Sequence, residues 1–408
     1  MRTDLVPAEE ALEIILQGAG PYAFEDVPLK DAGGRVLARD IAAKRTQPPF
    51  AASAMDGYAV RADDVRSVPA ILTLVGEAAA GHPFAGHVGK GETARIFTGA
   101  PVPSGADAIV IQENTATDGK KITILQPSSA GRYIRPEGLD FREGDVLLRG
   151  NDLIDPQRLS LAAAMNHANL PVFTRPRVAL FATGDELALP GEETGAGGII
   201  ASNTFGLAAM IRANGGVVDD CGIVRDTGKA LNTAFTTALN AGADLLVSTG
   251  GASVGDHDLI VPALREIGAD IAFAKIAMRP GKPLIFATLK HGEKTVRMLG
   301  LAGNPVSSIV AGYRFVAPLV TRLAGLPMRQ AEPLDAVFGR EMPANDEREE
   351  YMRATVRRLD GGVIEASPFE RQDSSMLANL ARADALVIRP AHAAAAIAGD
   401  PCKVILLR

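Results

Sequence analysis

Val178-Ala-Leu-Phe-Ala-Thr-Gly-Asp-Glu186 and Asp244-Leu-Leu-Val-Ser-Thr-Gly-Gly251 decide how this chain is read. Each is a short, near-continuous apolar run that stops at small and polar residues, the pattern of a strand buried on both faces. Between them the period lengthens to that of a helix. Ser202 or Asn203 stands as a cap, and Gly215-Gly216 stops the run after Asn214. Val217–Val224 reads as the next strand and Gly228–Asn240 as a helix, with another helix expected after Asp258. Residues 284–289 and 296–301 read as further strands, the second followed by a helix from Pro305. Repeated β-α-β predicts a mostly parallel sheet with helices on both faces: a central three-layer α/β domain over residues 174–326.

The flanks differ in texture. Residues 1–173 are rich in Gly and Pro, with apolar strings at 71–75, 108–111 and 122–125 separated by turns. They predict a β-rich N-terminal region with an inserted subdomain near 45–139. At its start, Glu9, Glu10 and Glu13 alternate with apolar residues as in a short amphipathic helix. Near its end a helix is expected over 156–168, capped by Asp155 with Pro156 at the first position, and 170–176 reads as a linker. Residues 327–408 carry β-like strings at 351–356, 385–388 and 403–407, predicting a small C-terminal β domain. The alanine-rich 391–398 reads as loop or short helix.

Composition excludes several classes. With 408 residues, 47% of them hydrophobic and 22% charged, the chain can bury several cores and is not a disordered polymer. A formal charge of −6 argues against a general nucleic-acid binder, yet a few local cations can still serve one anion. Cys221 and Cys402 alone make neither a disulfide framework nor a zinc set, which suits a reducing cytoplasm. The start lacks a basic segment followed by a long apolar core, and no apolar run reaches the roughly 18 residues of a membrane span.

In an open parallel sheet, ligands lie beyond the carboxyl ends of the strands, so the loops there are the place to look for chemistry. Thr183, Gly184, Asp185 and Glu186 follow the first strand. Gly250, Gly251, Ser253, Gly255, Asp256, His257 and Asp258 follow the third. The glycines admit backbone N–H groups close to an anion, and Glu186, Asp256 and Asp258 are hard oxygen donors suited to Mg2+. Asn304 and Pro305 look like the cap and first residue of a helix whose N–H groups at 306–308 attract anions. Arg279 and Lys282, across the turn closed by Pro283, can grip a tetrahedral oxyanion. Taken singly, each loop is an ordinary turn, each Asp an ordinary cap and each cation a solvated one; convergence on one sheet edge favours a ligand site. His257 has no second His nearby and is not read as a metal ligand. Neither G-x-S-x-G nor G-x-G-x-x-G occurs at these positions, against a serine hydrolase and a dinucleotide fold.

These loops, in this order, resemble the molybdopterin molybdenumtransferase family (MoeA and gephyrin E-domain type). The matching stretches are Ser53-Ala-Met-Asp-Gly-Tyr-Ala-Val60, Phe97-Thr-Gly-Ala-Pro-Val-Pro103, Gly105-Ala-Asp-Ala-Ile-Val110, Thr183-Gly-Asp-Glu-Leu187, Ser248-Thr-Gly-Gly-Ala-Ser-Val-Gly-Asp-His-Asp258, Arg279-Pro-Gly-Lys-Pro283 and Gly300-Leu-Ala-Gly-Asn-Pro-Val-Ser307. They span most of the chain, and Met-Asp-Gly-Tyr-Ala is the most specific. Departures are Ala302 where the family usually has Pro, Ala252 where Val is common, and Ala51-Ala52 in place of a more polar pair.

The resemblance implies a molybdopterin-binding type of central domain and a barrel-like C-terminal one. It implies that molybdate and adenylylated molybdopterin give molybdenum cofactor and AMP with Mg2+ or another divalent cation. Asp258 and Glu186 match the acids around metal and phosphoanhydride, and Asp56, Thr98 and Asp140 match functional positions of the N-terminal region. Arg279, Lys282, Pro283, Ser307, Arg353 and Ser374 match the molybdate site. A cytoplasmic homodimer, with contacts to an adenylyltransferase and to molybdoenzyme chaperones, is also implied. A molybdopterin adenylyltransferase or a non-catalytic pterin-binding scaffold are the alternatives. The first would not need the flanking regions, and the second would not need the charged set.

Overall fold

The computed structural model describes residues 2, 4–251, 259–328 and 333–407. They form two compact units, one made of residues 1–25 with 172–408 and the other of 26–171. The first 25 residues therefore pack with the central sheet, although their texture groups them with the N-terminal region.

In the first unit, α1 (Ala8–Leu16) precedes β1 (Arg177–Thr183), α2 (Asn203–Ala213), β2 (Val217–Val224), α3 (Gly228–Asn240) and β3 (Leu245–Thr249). Then come α4 (Ile260–Glu266), β4 (Asp270–Lys275), β5 (Pro283–His291), β6 (Lys294–Leu301), α5 (Pro305–Ala311) and α6 (Ala317–Leu323), with a π-helical turn over Gly312–Val316. The sheet order is β2-β1-β3-β6-β5-β4. β2, β1, β3 and β6 run parallel, while β5 pairs antiparallel with both β6 and β4. The sheet is mostly parallel, as expected. β4 has no clear signature in the sequence because it is a short edge strand with mixed exposure.

The period of two explains the three layers. Val178, Leu180, Leu245 and Val247 face one side, with α1, α2, α5 and α6 packed over them. Ala179, Phe181 and Leu246 face the other, under α3 and α4. Phe181 meets Phe235 of α3 edge-on, centroids 5.5 Å apart.

The C-terminal strands are β7 (Leu334–Phe338), β8 (Glu349–Arg358), β9 (Ile364–Pro368), β10 (Ala385–Arg389) and β11 (Pro401–Leu406), with α7 (Leu377–Arg382) before β10. They pair in the order β8-β9-β7-β11-β10, and β10 returns to β8 to close a barrel. On β8, Met352 and Ala354 point into the barrel core while Tyr351 joins the core beneath the central helices. The two-residue strand Met278–Arg279 pairs parallel with Glu349–Glu350 and ties the barrel to the central domain. Residues 391–398 form a loop, not a helix.

The second unit holds a six-stranded sheet in the order Ala108–Ile111, Gly57–Val60, Glu92–Ile96, Ala70–Ala78, Lys121–Ile124, Thr115–Asp118. Its faces alternate in the same way, Tyr58 and Val60 on one side and Ala59 on the other. Asp155 caps the helix Pro156–Ala164 by accepting the Arg158 N–H at 2.8 Å. That helix ends before 168, since Asn166 takes a positive φ of 69°. The stretch read as a linker contains a strand, Asn169–Phe173.

Phe181→Ala should cost about 3–5 kcal/mol in urea unfolding, because the close-packed ring leaves a void. Phe205→Ala, at a side chain 53% exposed on α2, should stay within about 0.5 kcal/mol of the parent.

Candidate active site

Three strand ends meet where the loops were expected to converge. The Gly250 N–H donates to the Leu301 carbonyl at 3.1 Å, and the Thr183 hydroxyl donates to the Thr249 carbonyl at 3.4 Å. A Cβ on Gly250, whose φ is +90°, would fall 2.2 Å from the Thr183 carbonyl oxygen. Only glycine lets β1 and β3 close up in this way. Gly303, beyond β6, lies against Gly250, a Cβ there falling 3.6 Å from the Gly250 Cα. Asn203 of α2 adds a side-chain N–H to the Gly303 carbonyl at 2.7 Å. Ser202, at the cap position, makes no capping bond, and Asn203 spends its amide on this loop.

One end of the crevice is acidic. The Glu186 carboxylate folds over Gly184, where a Cβ would fall 2.6 Å from Oε2. Asp226 follows β2, and its N–H donates to Asp185 Oδ1 at 3.3 Å. Burial, then the charges of Glu186 and Asp185, push the Asp226 carboxyl above its ordinary range, and its Oδ1 is buried without a partner among the described residues. Asp226 escaped the sequence reading. The signal was available, since it stands two residues past an apolar strand in a sheet whose other strand ends were searched. Asp256, Asp258, Ser253 and Gly255 lie outside the described residues. Among those that are described, no three His, Cys, Asp or Glu side chains are arranged to hold a metal ion.

The other end gathers around the start of α5. Asn304 precedes α5, with Pro305 at its first position, and its side-chain N–H donates to the Ser374 hydroxyl at 2.7 Å. The Val306 N–H donates to the Ser374 carbonyl at 3.1 Å, and the Ser308 N–H to the Asn304 carbonyl at 3.0 Å. The free helix N–H groups expected at 306 and 308 are thus already used, one by the chain's own cap from the C-terminal domain and one by the helix. Ser307 is buried. Gly281 sits beside it, a Cβ there falling 3.6 Å from the Ser307 carbonyl oxygen, which brings the 279–283 turn to the same place. Lys282 is half-buried in that turn, and its carbonyl accepts the Ile276 N–H at 3.0 Å. Pro283 opens β5.

Arg353 on β8 is the largest fully buried side chain, 1% exposed. One N–H donates to the Asp373 carbonyl at 3.0 Å, and its Nε has no partner among the described residues. Burial pulls its pKa below the usual guanidinium value, opposed by the charges of Glu350 and Asp373. A buried guanidinium with an empty donor is costly unless an anion shares the space. Arg279 behaves differently. Its Nε and one terminal nitrogen chelate Glu350 at 3.1 and 3.0 Å, the other terminal nitrogen donates to Asp346 at 2.9 Å, and Asn345 accepts at 3.1 Å. Its head is turned to acids, not held open for an oxyanion.

In the second unit, Asp56 Oδ1 accepts both the N–H and the hydroxyl of Thr98 at 2.7 Å. Those bonds, with a smaller contribution from Arg95, hold the Asp56 carboxyl below its ordinary range. Arg95 stacks on Tyr58 and Phe97, 5.2 and 4.7 Å from their centroids, and so braces both sides of the pair. The Asp140 N–H donates to the Gln47 carbonyl at 3.0 Å.

Family models match nearly the whole chain. Residues 6–166 match the MoeA N-terminal region (domain I and II), 179–322 a probable molybdopterin binding domain, and 335–407 the MoeA C-terminal region (domain IV). A molybdopterin molybdenumtransferase of Nostoc sp. is 36% identical over 375 residues, covering 90% of this chain and 85% of that protein. One from Bacillus subtilis is 31% identical over 413 residues, covering 99% and 94%. Two structures of a molybdopterin biosynthesis MoeA protein from Pyrococcus horikoshii superpose with TM-scores of 0.82 and 0.77 at 29% and 27% identity. Each covers 99% of this chain and 100% of its own.

The raised Asp226 pKa means that ionising this group costs the folded state stability, and the cost grows as pH climbs above about 4. Asp226→Asn should therefore unfold at a higher temperature than the parent at pH 7 without divalent cations. The gain should vanish below about pH 3.5, where both states carry the proton; a lower midpoint at pH 7 would refute the crowding of acids.

Proposed function

The chain belongs to the molybdopterin molybdenumtransferase family, a transferase inserting molybdenum in cofactor biosynthesis, and we propose that its crevice takes molybdate at the Arg353 end. An adenylylated molybdopterin then lies along the strand ends of β1, β3 and β6, and its products are molybdenum cofactor and AMP. The observation that carries this reading is Arg353: a fully buried cation whose Nε has no partner among the described residues, next to Ser374 and the first turn of α5. A tetrahedral dianion there satisfies the guanidinium, with Ser307, Ser374 and Lys282 as further donors. Held in a water-poor pocket, those donors are worth more than they would be in solvent.

The nucleotide end is proposed to be Thr183, Gly184, Asp185, Gly250, Gly251, Asn304 and Pro305, together with Ser253, Gly255 and Asp256. Glu186 and Asp258 are proposed to hold a divalent cation, Mg2+ in the first instance. Burial, and then the crowding of Glu186 and Asp185, raises the Asp226 pKa, and that crowding suits such an ion. When bound, the cation neutralises phosphate charge at the scissile bridge. The residues themselves orient the phosphates through backbone N–H groups and keep the acids apart from the oxyanion. Asp56 with Thr98, and Asp140, are proposed to serve the same reaction from the N-terminal region of a homodimer. We also propose the three-part division at 173/174 and 326/327, a cytoplasmic setting, and contacts with the adenylyltransferase and molybdoenzyme chaperones. No helix among the described residues is long and apolar enough to cross a membrane.

AMP release from adenylylated molybdopterin, followed with and without molybdate, tests the reading. Arg353→Met should raise the half-saturating molybdate by about 10–100-fold, the usual worth of a charge-assisted bond; an unchanged value sinks the site. Chelation of divalent cations, or Asp258→Asn, should stop AMP release while the circular dichroism spectrum stays that of the parent. Undiminished release in either case removes the acids from the proposed role.

A further inference from the structure

At the start of a helix a polar side chain ordinarily bonds the helix's own N–H groups. At the start of α2, Ser202 makes no such bond among the described residues. Asn203 turns its amide outward instead and donates an N–H to the Gly303 carbonyl at 2.7 Å, 100 residues further along the chain. The preceding carbonyl, that of Ala302, accepts the Ser308 hydroxyl at 2.6 Å. Two consecutive carbonyls of the loop that leaves β6 are thus each held by a side chain, one from α5 and one from α2.

Gly303 makes the second of these bonds matter. Its φ lies outside the left-handed region, and among the described residues a Cβ there would meet the Gly250 Cα alone, at an ordinary contact distance of 3.6 Å. Backbone conformation does not demand glycine here, so the freedom that glycine brings has to be removed by something other than sterics. Just beyond it the chain enters the proposed anion site. Asn304 donates to the Ser374 hydroxyl at 2.7 Å, the Val306 N–H donates to the Ser374 carbonyl at 3.1 Å, and the adjacent Asp373 carbonyl accepts from Arg353 at 3.0 Å.

We infer that Asn203 is a positioning residue: by holding the Gly303 carbonyl it fixes the loop from which Asn304 and Val306 grip Ser374, and so sets where Ser374 and the Arg353 guanidinium stand. This rests on the molybdate site proposed above. Asn203 carries no charge, so its removal loosens the loop and leaves the charges around Arg353 as they were. Alanine is a good helix former, and α2 persists in Asn203→Ala. Gly303→Ala narrows by sterics the same backbone freedom that the Asn203 amide restrains. The two substitutions therefore act on one degree of freedom, and their effects do not add.

Hydrogen exchange of the unliganded full-length protein, read by mass spectrometry, tests the restraint. Exchange across residues 302–308 should quicken in Asn203→Ala and return toward the parent in the double variant with Gly303→Ala, while β3 stays unchanged. Calorimetric titration with molybdate alone, well below each variant's unfolding midpoint, should give a Kd about 3–10-fold weaker in Asn203→Ala, the worth of one hydrogen bond. In the Gly303→Ala background the same substitution should cost less than about twofold. An equal loss in both backgrounds makes Asn203 a direct ligand and overturns the inference. Unchanged exchange, or an unchanged Kd while Arg353→Met still abolishes binding, overturns it too and leaves the site standing. No binding by the parent, or parental binding in Arg353→Met, overturns the site and this inference together.

Discussion

A sheet covered by helices on both faces leaves polar groups nowhere to go except its strand ends, and everything else in this protein follows from that constraint. Val178, Leu180, Leu245 and Val247 commit one face to α1, α2, α5 and α6; Ala179, Phe181 and Leu246 commit the other to α3 and α4. What remains free for chemistry is the rim at Thr183, Gly250 and Gly303. There the absence of a side chain at Gly250 brings β1 and β3 to backbone contact. The same crowding that builds the core thus also draws the loops into one crevice.

Charge is separated along that crevice. Asp185, Glu186 and Asp226 gather beyond β1 and β2, where burial first and the neighbouring acids second raise the Asp226 pKa. Arg353 and the first turn of α5 lie at the far side of Gly303 and Asn304, linked through Ser374. At the Arg353 end, burial outweighs the neighbouring charges of Glu350 and Asp373, and the guanidinium pKa falls. A net charge of −6 is no obstacle to an oxyanion, because one buried cation outweighs distant surface acids that solvent and salt screen.

The C-terminal barrel is more than an appendage, since it supplies Arg353 and Ser374 to the rim of another domain's sheet. Ser374 takes the Val306 N–H that a bare helix terminus would have offered to an anion. The helix end is thus capped by the chain itself. Arg279 shows the same logic: a cation in the right turn spends its donors on the strand that carries Arg353.

From the sequence alone came the strand and helix order of the central domain, the Gly-rich loops, the family and most of the residues at the rim. These were legible because periodicity and turn chemistry are local, and because the motifs from Ser53 to Ser307 are short and contiguous. β4, β7 and β9 were passed over, being strands of only five or six residues whose patterns are too short to stand out. Asp226 was passed over because it stands beside no motif. Tertiary structure alone decided that Val306 is capped, that Arg279 faces Glu350 and that Arg353 is buried with an empty Nε. Those outcomes depend on partners 70 or so positions apart in the chain, and a donor's availability is fixed by which acceptor reaches it first in three dimensions.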